Sequence, residues 1–318
     1  MLIVNNLSVS SSSQYGEINI LENLNFELEK GKVLGLVGES GCGKSIMALT
    51  IMGLLPENMK ATGEIILSKN LLNLSEMELC KIRGNKISMV FQEPMNALNP
   101  VLSIGFQVEE SLKIHKKYSK HQAEKEASKI LDRVGLPIKK FPRSIFPHQL
   151  SGGQRQRVVI AIAIACKPEL IIADEPTTSL DVTIQEQILD LISELVFEEK
   201  MSLILITHDL GIVAENTDYM MVMYAGRIVE KGETQKIFKN LSHPYTRGLF
   251  ASIPNFENIQ NSKKRFSTIP GRVPEFFERS NGCYFKERCK IAKKKCSENY
   301  PNETQFEDGH FVSCFYHF

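Results

Sequence analysis

Five short clusters of polar and small residues carry the chemistry of this chain, and each sits at the edge of an apolar run. Gly38-Glu39-Ser40-Gly41-Cys42-Gly43-Lys44-Ser45 reads G-x-x-x-x-G-K-S. Gln92 closes the apolar stretch 87–91. Leu150-Ser151-Gly152-Gly153-Gln154 combines two glycines with a hydroxyl and an amide. Leu170-Ile171-Ile172-Ala173-Asp174-Glu175 ends in adjacent carboxylates, and Thr207-His208-Asp209 follows another apolar run. In this order the groups suit one task, which is to hold a nucleoside triphosphate with its cation and direct a water at it.

The first cluster follows 33–37, an apolar run of strand length, and precedes 46–52, which reads as a buried helix. Strand, glycine loop and helix form the setting in which this pattern cradles phosphate. The glycines let the backbone curl so that successive N–H groups converge on phosphate oxygens. The helix start adds a partial positive charge. The cradle is expected to run through Gly38, Glu39, Ser40, Gly41, Cys42, Gly43, Lys44, Ser45 and Ile46. Lys44 reaches the β- and γ-phosphates, the Ser45 hydroxyl ligates Mg²⁺, and Cys42 is a small spacer. A chance glycine-rich turn is the plain alternative, and it leaves the flanking strand and helix unexplained.

Asp174 and Glu175 end an apolar strand, where ligand sites of parallel sheets lie. Asp174 is placed to help hold Mg²⁺, and Glu175 to position or deprotonate the attacking water. An isolated Asp-Glu-Pro is commonly just a cap before a turn; the phosphate loop upstream argues for the catalytic reading. A lone histidine at a strand end is more often structural. His208, expected in the same sheet, is instead placed to donate to the γ-phosphate. Gln92, at the end of its own apolar run, is counted with them as a candidate catalytic group and Mg²⁺ ligand. Phosphoryl transfer requires mainly such positioning and charge stabilisation.

The elements that must hold these groups are legible as an α/β pattern. Residues 2–30 read as short strands, half-buried on one parity. The runs 170–173, 203–206 and 220–224 read as buried parallel strands, with helix 183–197 between the first two as a βαβ unit. Between 93 and 165 the chain is charged and helical in period, notably at 107–117 and 120–134. Residues 255–275 read as a polar linker.

Composition narrows the class. The 318 residues carry Lys+Arg 38 against Asp+Glu 37, a formal net charge of +1, so nothing favours a nucleic-acid partner. No apolar run reaches the eighteen or so residues of a membrane span, and the first residues do not read as a signal peptide. A soluble, cytoplasmic chain is expected. Seven cysteines, an odd number, argue against a disulfide framework.

The cluster 150–154 opens a helix, so it is a second anion site. One nucleotide hardly needs two cradles in one chain. A dimer, in which each chain's second cradle closes the other's nucleotide, accounts for both. Here the sequence resembles the ATP-binding cassette (ABC) family over roughly residues 1–235. Gly38–Ser45 resembles its Walker A motif, Ser151, Gly152, Gly153 and Gln154 lie in its signature, and Asp174 and Glu175 end its Walker B. Gln92 resembles its Q-loop, Ser179-Leu180-Asp181 its D-loop, and His208 its switch histidine. The resemblance implies a phosphate-loop nucleotide-binding domain with a parallel-sheet core, an antiparallel β subdomain and a helical insert at about 93–165. It implies two ATP molecules, with Mg²⁺, between two ATPase subunits that drive two membrane permease subunits.

Residues 92–100, 222–230 and His243-Pro244-Tyr245-Thr246 are similar to oligopeptide and dipeptide permease ATPases. Residues 236–318 then form the extension that peptide and nickel importer subunits carry. Residues 173–181 and 207–211 resemble the first of the two ATPase subunits of such importers. That implies a non-identical ATPase partner, an extracytoplasmic solute-binding protein acting indirectly, and a place at the cytoplasmic face of the membrane. A nickel or metallophore importer is the runner-up, and a soluble non-transport ATPase a more distant one. The family stacks adenine on an early aromatic residue; serine stands at about that position, which leaves Tyr15 as either the substitute or an ordinary loop residue. The surface coupling to the membrane subunits is expected around 93–106.

The tail reads C-x5-C-x6-C-x17-C through Cys283, Cys289, Cys296 and Cys314. Thiolates suit zinc or iron–sulfur clusters. The gaps exceed those of structural zinc pairs, and the resemblance also points to a 4Fe–4S cluster. His310 is a substitute ligand, and four free thiols in a small stabilising extension are the alternative. The basic group Lys286, Arg288, Lys290, Lys293, Lys294 and Lys295 reads as a solvated face or as compensation for a cluster's charge.

Overall fold

The structure is a computed structural model and describes residues 1–13, 16–178, 180–252, 268–279 and 281–317. Two sheets organise it. Strands β1 (Leu2–Ser13), β2 (Gly16–Leu28) and β4 (Met59–Ile66) make an antiparallel sheet in the order β2-β1-β4. The start of the chain is thus two long antiparallel strands rather than several short ones.

The larger sheet has eight strands in the order β10-β11-β9-β8-β3-β7-β6-β5. Its parallel part comprises β3 (Val33–Val37), β5 (Ile87–Val90), β6 (Leu170–Asp174), β7 (Ser202–Ile206) and β8 (Tyr219–Tyr224). Every residue of β5, β6 and β7 is buried, the pattern of strands covered on both faces. Strand β9 (Arg227–Glu233) turns back antiparallel on β8. The tail then adds β10 (Thr304–Glu307) and β11 (His310–Val312), with β11 antiparallel to β9. The tail is therefore built onto the same sheet as the nucleotide strands.

Helices cover both faces. Helix α1 (Lys44–Met52) follows the glycine loop, and α2 (Glu76–Ile82) lies beyond β4. The insert holds α3 (Pro94–Ala97), α4 (Ile104–His115), α5 (Lys120–Arg133) and α6 (Gly152–Ile164). Helix α7 (Val182–Glu199) joins β6 to β7, and α8 (Leu210–Asn216) joins β7 to β8. Helices α9 (Thr234–Lys239), α10 (Pro244–Ala251) and α11 (Lys294–Glu298) belong to the tail.

Three apolar cores result. The first packs α4, α5, α6 and α7 against the parallel strands. The second joins α1 to the antiparallel sheet and includes Leu21, Met47, Ile51 and Ile172. The third holds the tail to β8 and β9 through Tyr224, Tyr245 and Phe285. Each fully buried large apolar side chain contributes roughly 1.5–3 kcal/mol, and these cores anchor the strand and helix that flank the polar loop 38–45. Among the described residues, no helix is long and apolar enough to cross a membrane.

Candidate functional site

Four neighbouring parallel strands, β3, β7, β6 and β5, end in the four groups singled out by chemistry. After β3 comes the glycine loop, after β7 His208, at the end of β6 Asp174 and Glu175, and after β5 Gln92. Sheet order, not sequence order, brings them to one edge, the carboxyl edge where such sheets bind ligands.

The loop is shaped by close packing. A Cβ on Gly38 would lie 2.3 Å from the Met223 carbonyl oxygen, and one on Gly43, at φ +108°, 2.5 Å from a Leu21 methyl. Only glycine lets the backbone pass so near β8 and β2. Ser40, Gly41 and Ser45 are exposed, Cys42 is buried beneath them, and Ile46 is half-buried at the helix start. Lys44 is buried and donates from Nζ to the carbonyls of Gly38 at 2.8 Å and Glu39 at 3.1 Å. Its ammonium therefore sits inside the curl of the loop, where a phosphate would take over those contacts. Burial, with Lys44 opposing, pushes the Cys42 thiol upward, so it stays an inert spacer.

Burial also raises the Asp174 carboxyl above its ordinary range, although a hydrogen bond from Ser45 and the charge of Lys44 oppose this. Asp174 and the Ser45 hydroxyl thus meet, as a shared Mg²⁺ site requires. Glu175 has φ +44°, a left-handed conformation rare for a large side chain. This turns the chain at the strand end and separates the two carboxylates. Gln92 Nε2 donates to Glu175 Oε2 at 3.0 Å, and the Thr178 hydroxyl donates to the same oxygen at 3.0 Å. His208 Nδ1 stands 3.7 Å from Glu175 Oε1, beyond hydrogen-bond length, on an exposed side chain. Gln92, Glu175 and His208 are thus brought together around one carboxylate.

Ser151 caps α6: its hydroxyl accepts from Gln154 N, and its own N–H donates to Gln154 Oε1 at 2.9 Å. Gly152 and Gly153 lie against Leu180 and Ile184, with a Cβ on Gly153 only 2.7 Å from Ile184. Asp181 caps α7, accepting from Ile184 N at 3.0 Å. Residues 151–154 and Asp181 thus sit at the starts of the adjoining helices α6 and α7. Tyr15 and Ser179 lie outside the described residues.

The four tail cysteines line one small cavity with His243, Phe285, Pro301 and Tyr316. Burial pushes the Cys283 and Cys314 thiols up to about 11 and raises Cys289 as well. Among the described residues, no three His, Cys, Asp or Glu side chains are arranged to hold a metal ion. The cavity, about 20 Å³, has room for roughly one water. The arrangement as folded gives no support for the iron–sulfur reading beyond the convergence of four thiols. His310 is not in that group: it is fully buried on β11, with Nε2 2.8 Å from Glu230 Oε1.

Sequence reasoning missed three groups around the loop and the base. Thr178 holds Glu175. The Tyr245 hydroxyl accepts from Glu39 N at 2.9 Å. Arg288 is not part of a solvated face; it is buried and paired with Glu39. No spacing announces contacts made across 206 and 249 residues.

The fold and this edge define a phosphate-loop nucleoside triphosphatase of the cassette type. Residues 21–178 match the ABC transporter family, and 229–296 match the oligopeptide/dipeptide transporter C-terminal region. The chain is 46% identical over 317 residues to the dipeptide transport ATP-binding protein DppD of Bacillus subtilis, covering 99% of this chain and 94% of that one. It is 45% identical over 315 residues to the oligopeptide transport ATP-binding protein OppD of Haemophilus influenzae, covering 99% and 96%. A solved dimer of the ATP-binding cassette MJ0796, in a post-hydrolysis state with ADP and Pi, superposes with a TM-score of 0.65 at 31% identity, covering 74% of this chain and 99% of that one. The chain belongs to the ABC transporter family of ATP-binding proteins, in the branch that carries the oligopeptide/dipeptide transporter C-terminal region.

Proposed function

We propose that this chain is the ATP-hydrolysing subunit of a bacterial ABC importer for dipeptides and oligopeptides. The observation that carries the reading is the row of strand ends β3-β7-β6-β5, which sets the phosphate loop, His208, Glu175 and Gln92 side by side. Relatives of nearly the same length, named for peptide transport, supply the substrate class.

The residues divide the work as follows. Loop N–H groups and Lys44 hold the phosphates. Ser45, Asp174 and Gln92 would hold Mg²⁺, which when bound neutralises developing charge on the phosphate oxygens. Glu175 accepts a proton from, or orients, the attacking water, and its tether to Gln92 and Thr178 fixes the direction of its free oxygen. His208 is placed beside that oxygen to donate to the γ-phosphate. Ser151, Gly152, Gly153 and Gln154 bind the nucleotide of a second subunit, and Asp181 lies between the two sites.

The partner is a second, non-identical ATPase, with two permease subunits and, indirectly, an extracytoplasmic binding protein. The chain works peripherally at the cytoplasmic membrane face. Residues 93–106 are the coupling surface, supported by the exposed apolar side chains Met95, Val101 and Phe106. We treat 1–235 and 236–318 as the functional division, even though β11 joins the main sheet. Cys283, Cys289, Cys296 and Cys314 are proposed ligands of a 4Fe–4S cluster on the convergence of four soft donors alone; their cavity of about 20 Å³ would have to widen to admit it. Hydrolysis of MgATP by the purified chain, and peptide uptake that depends on it, test the reading.

A further inference from the structure

Glu39 places a carboxylate inside a loop whose purpose is to bind phosphate. Left free, that charge would oppose a polyanionic ligand. The structure instead engages it from the tail. Arg288 Nη1 donates to Glu39 Oε2 at 2.6 Å and Nη2 to Oε1 at 2.9 Å, a two-bond fork. The guanidinium is only 5% exposed. It is itself fixed, since Nε donates to the Pro270 carbonyl at 2.8 Å. The Glu39 N–H is taken by Tyr245, whose ring packs on Tyr224 and Phe285 at 4.6 and 5.4 Å. Both grips on the loop residue come from beyond residue 235.

We propose that Arg288 is a positioning residue for the phosphate loop. Its fork neutralises Glu39 and holds it towards the tail, so that the loop presents N–H groups and Lys44 to the nucleotide without a competing negative charge. The tail is then a working part of the ATP site. Because Arg288 directly precedes Cys289, the packing of the cysteine lobe is transmitted to the loop through one side chain. A lysine cannot replace the fork, being a point charge with different geometry. This inference rests on the ATP-binding reading and deepens it.

MgATP affinity and steady-state hydrolysis of the full chain test it in wild type, Arg288→Ala, Arg288→Lys, Glu39→Gln and the double variant Glu39→Gln/Arg288→Ala. Arg288→Ala is expected to weaken MgATP binding by about tenfold or more, raising KM much more than it lowers kcat. Arg288→Lys is expected to fall between. With Glu39→Gln already present, removing Arg288 is expected to cost much less, because the charge it neutralises is gone. Unchanged affinity in Arg288→Ala, or an equal loss in both backgrounds, overturns the proposal, the latter leaving Arg288 a merely structural role. Should Arg288→Ala not fold, Arg288→Lys read in both backgrounds gives the same decision. Wild-type chain that does not bind MgATP overturns the ATPase reading itself, whereas normal wild-type binding with an unaffected Arg288→Ala overturns only this inference.

Discussion

Gln92 donates a hydrogen bond to the Glu175 carboxylate at 3.0 Å, although the two residues are 83 apart in the chain. Gln92 leads into the helical insert, and Glu175 directly follows strand β6, which neighbours β5 in the sheet. A movement of the insert that displaces Gln92 would therefore reorient the carboxylate that faces the water. Under the proposed function, the bond links the state of residues 93–106 to the chemistry at Glu175.

Glu175→Gln keeps the shape and the possible partners of that side chain but removes its basicity. Hydrolysis of MgATP is expected to fall by about 100-fold or more, with nucleotide affinity retained. Phosphate release against nucleotide binding checks this, and a parallel loss of both would remove Glu175 from the role of base.

Val101 is 75% exposed, and Met95 and Phe106 in the same segment are exposed as well. Val101→Glu places a charge on this apolar surface and leaves the strand ends untouched. Solute uptake is expected to fall severalfold while hydrolysis by the isolated chain stays near wild type. Equal loss of both would move the coupling surface elsewhere.

Glu199 joins the insert to the nucleotide core. Arg133 on α5 and Lys167 reach it at 2.5 and 3.0 Å. Partial burial pushes its carboxyl up, but these two partners together outweigh that and hold it below the ordinary range. A lowered folded-state value means stability present above the unfolded carboxyl's range and lost as pH falls through the folded one. Glu199→Gln is expected to cost about 1 kcal/mol or less at neutral pH. The difference from wild type should close in acid. Denaturant melts across that pH range check the sign.

The cysteine lobe gives a direct chemical test. Chain purified without oxygen is expected to carry iron and acid-labile sulfide with visible charge-transfer absorption, and Cys289→Ser to lose them. Colourless, iron-free wild-type protein would leave four thiols packed in a small extension.

Much of this was legible in the sequence for a physical reason. Buried parallel strands are continuous apolar runs, so 33–37, 170–173 and 203–206 stood out, and the polar groups that end them were marked by contrast. The loop's glycines announced a backbone that only glycine can follow. What could not be read depends on chain closure. Strands β10 and β11 are four and three residues long, too short for a periodic signal, and form because β9 offers β11 a partner and β11 in turn pairs with β10. His310 looked like a ligand by its distance from Cys314, yet the sheet turns it to Glu230. Arg288 looked like one of a run of surface cations until the tail folded back onto Glu39.

The central claim is that ATP hydrolysis by this chain energises peptide import. Cells lacking the chain, supplied with wild type or Glu175→Gln, are to be assayed for uptake of labelled dipeptide, oligopeptide and nickel. Peptide uptake restored by wild type and not by Glu175→Gln is the expected result. Restoration by both, or restoration of nickel uptake alone, would contradict it.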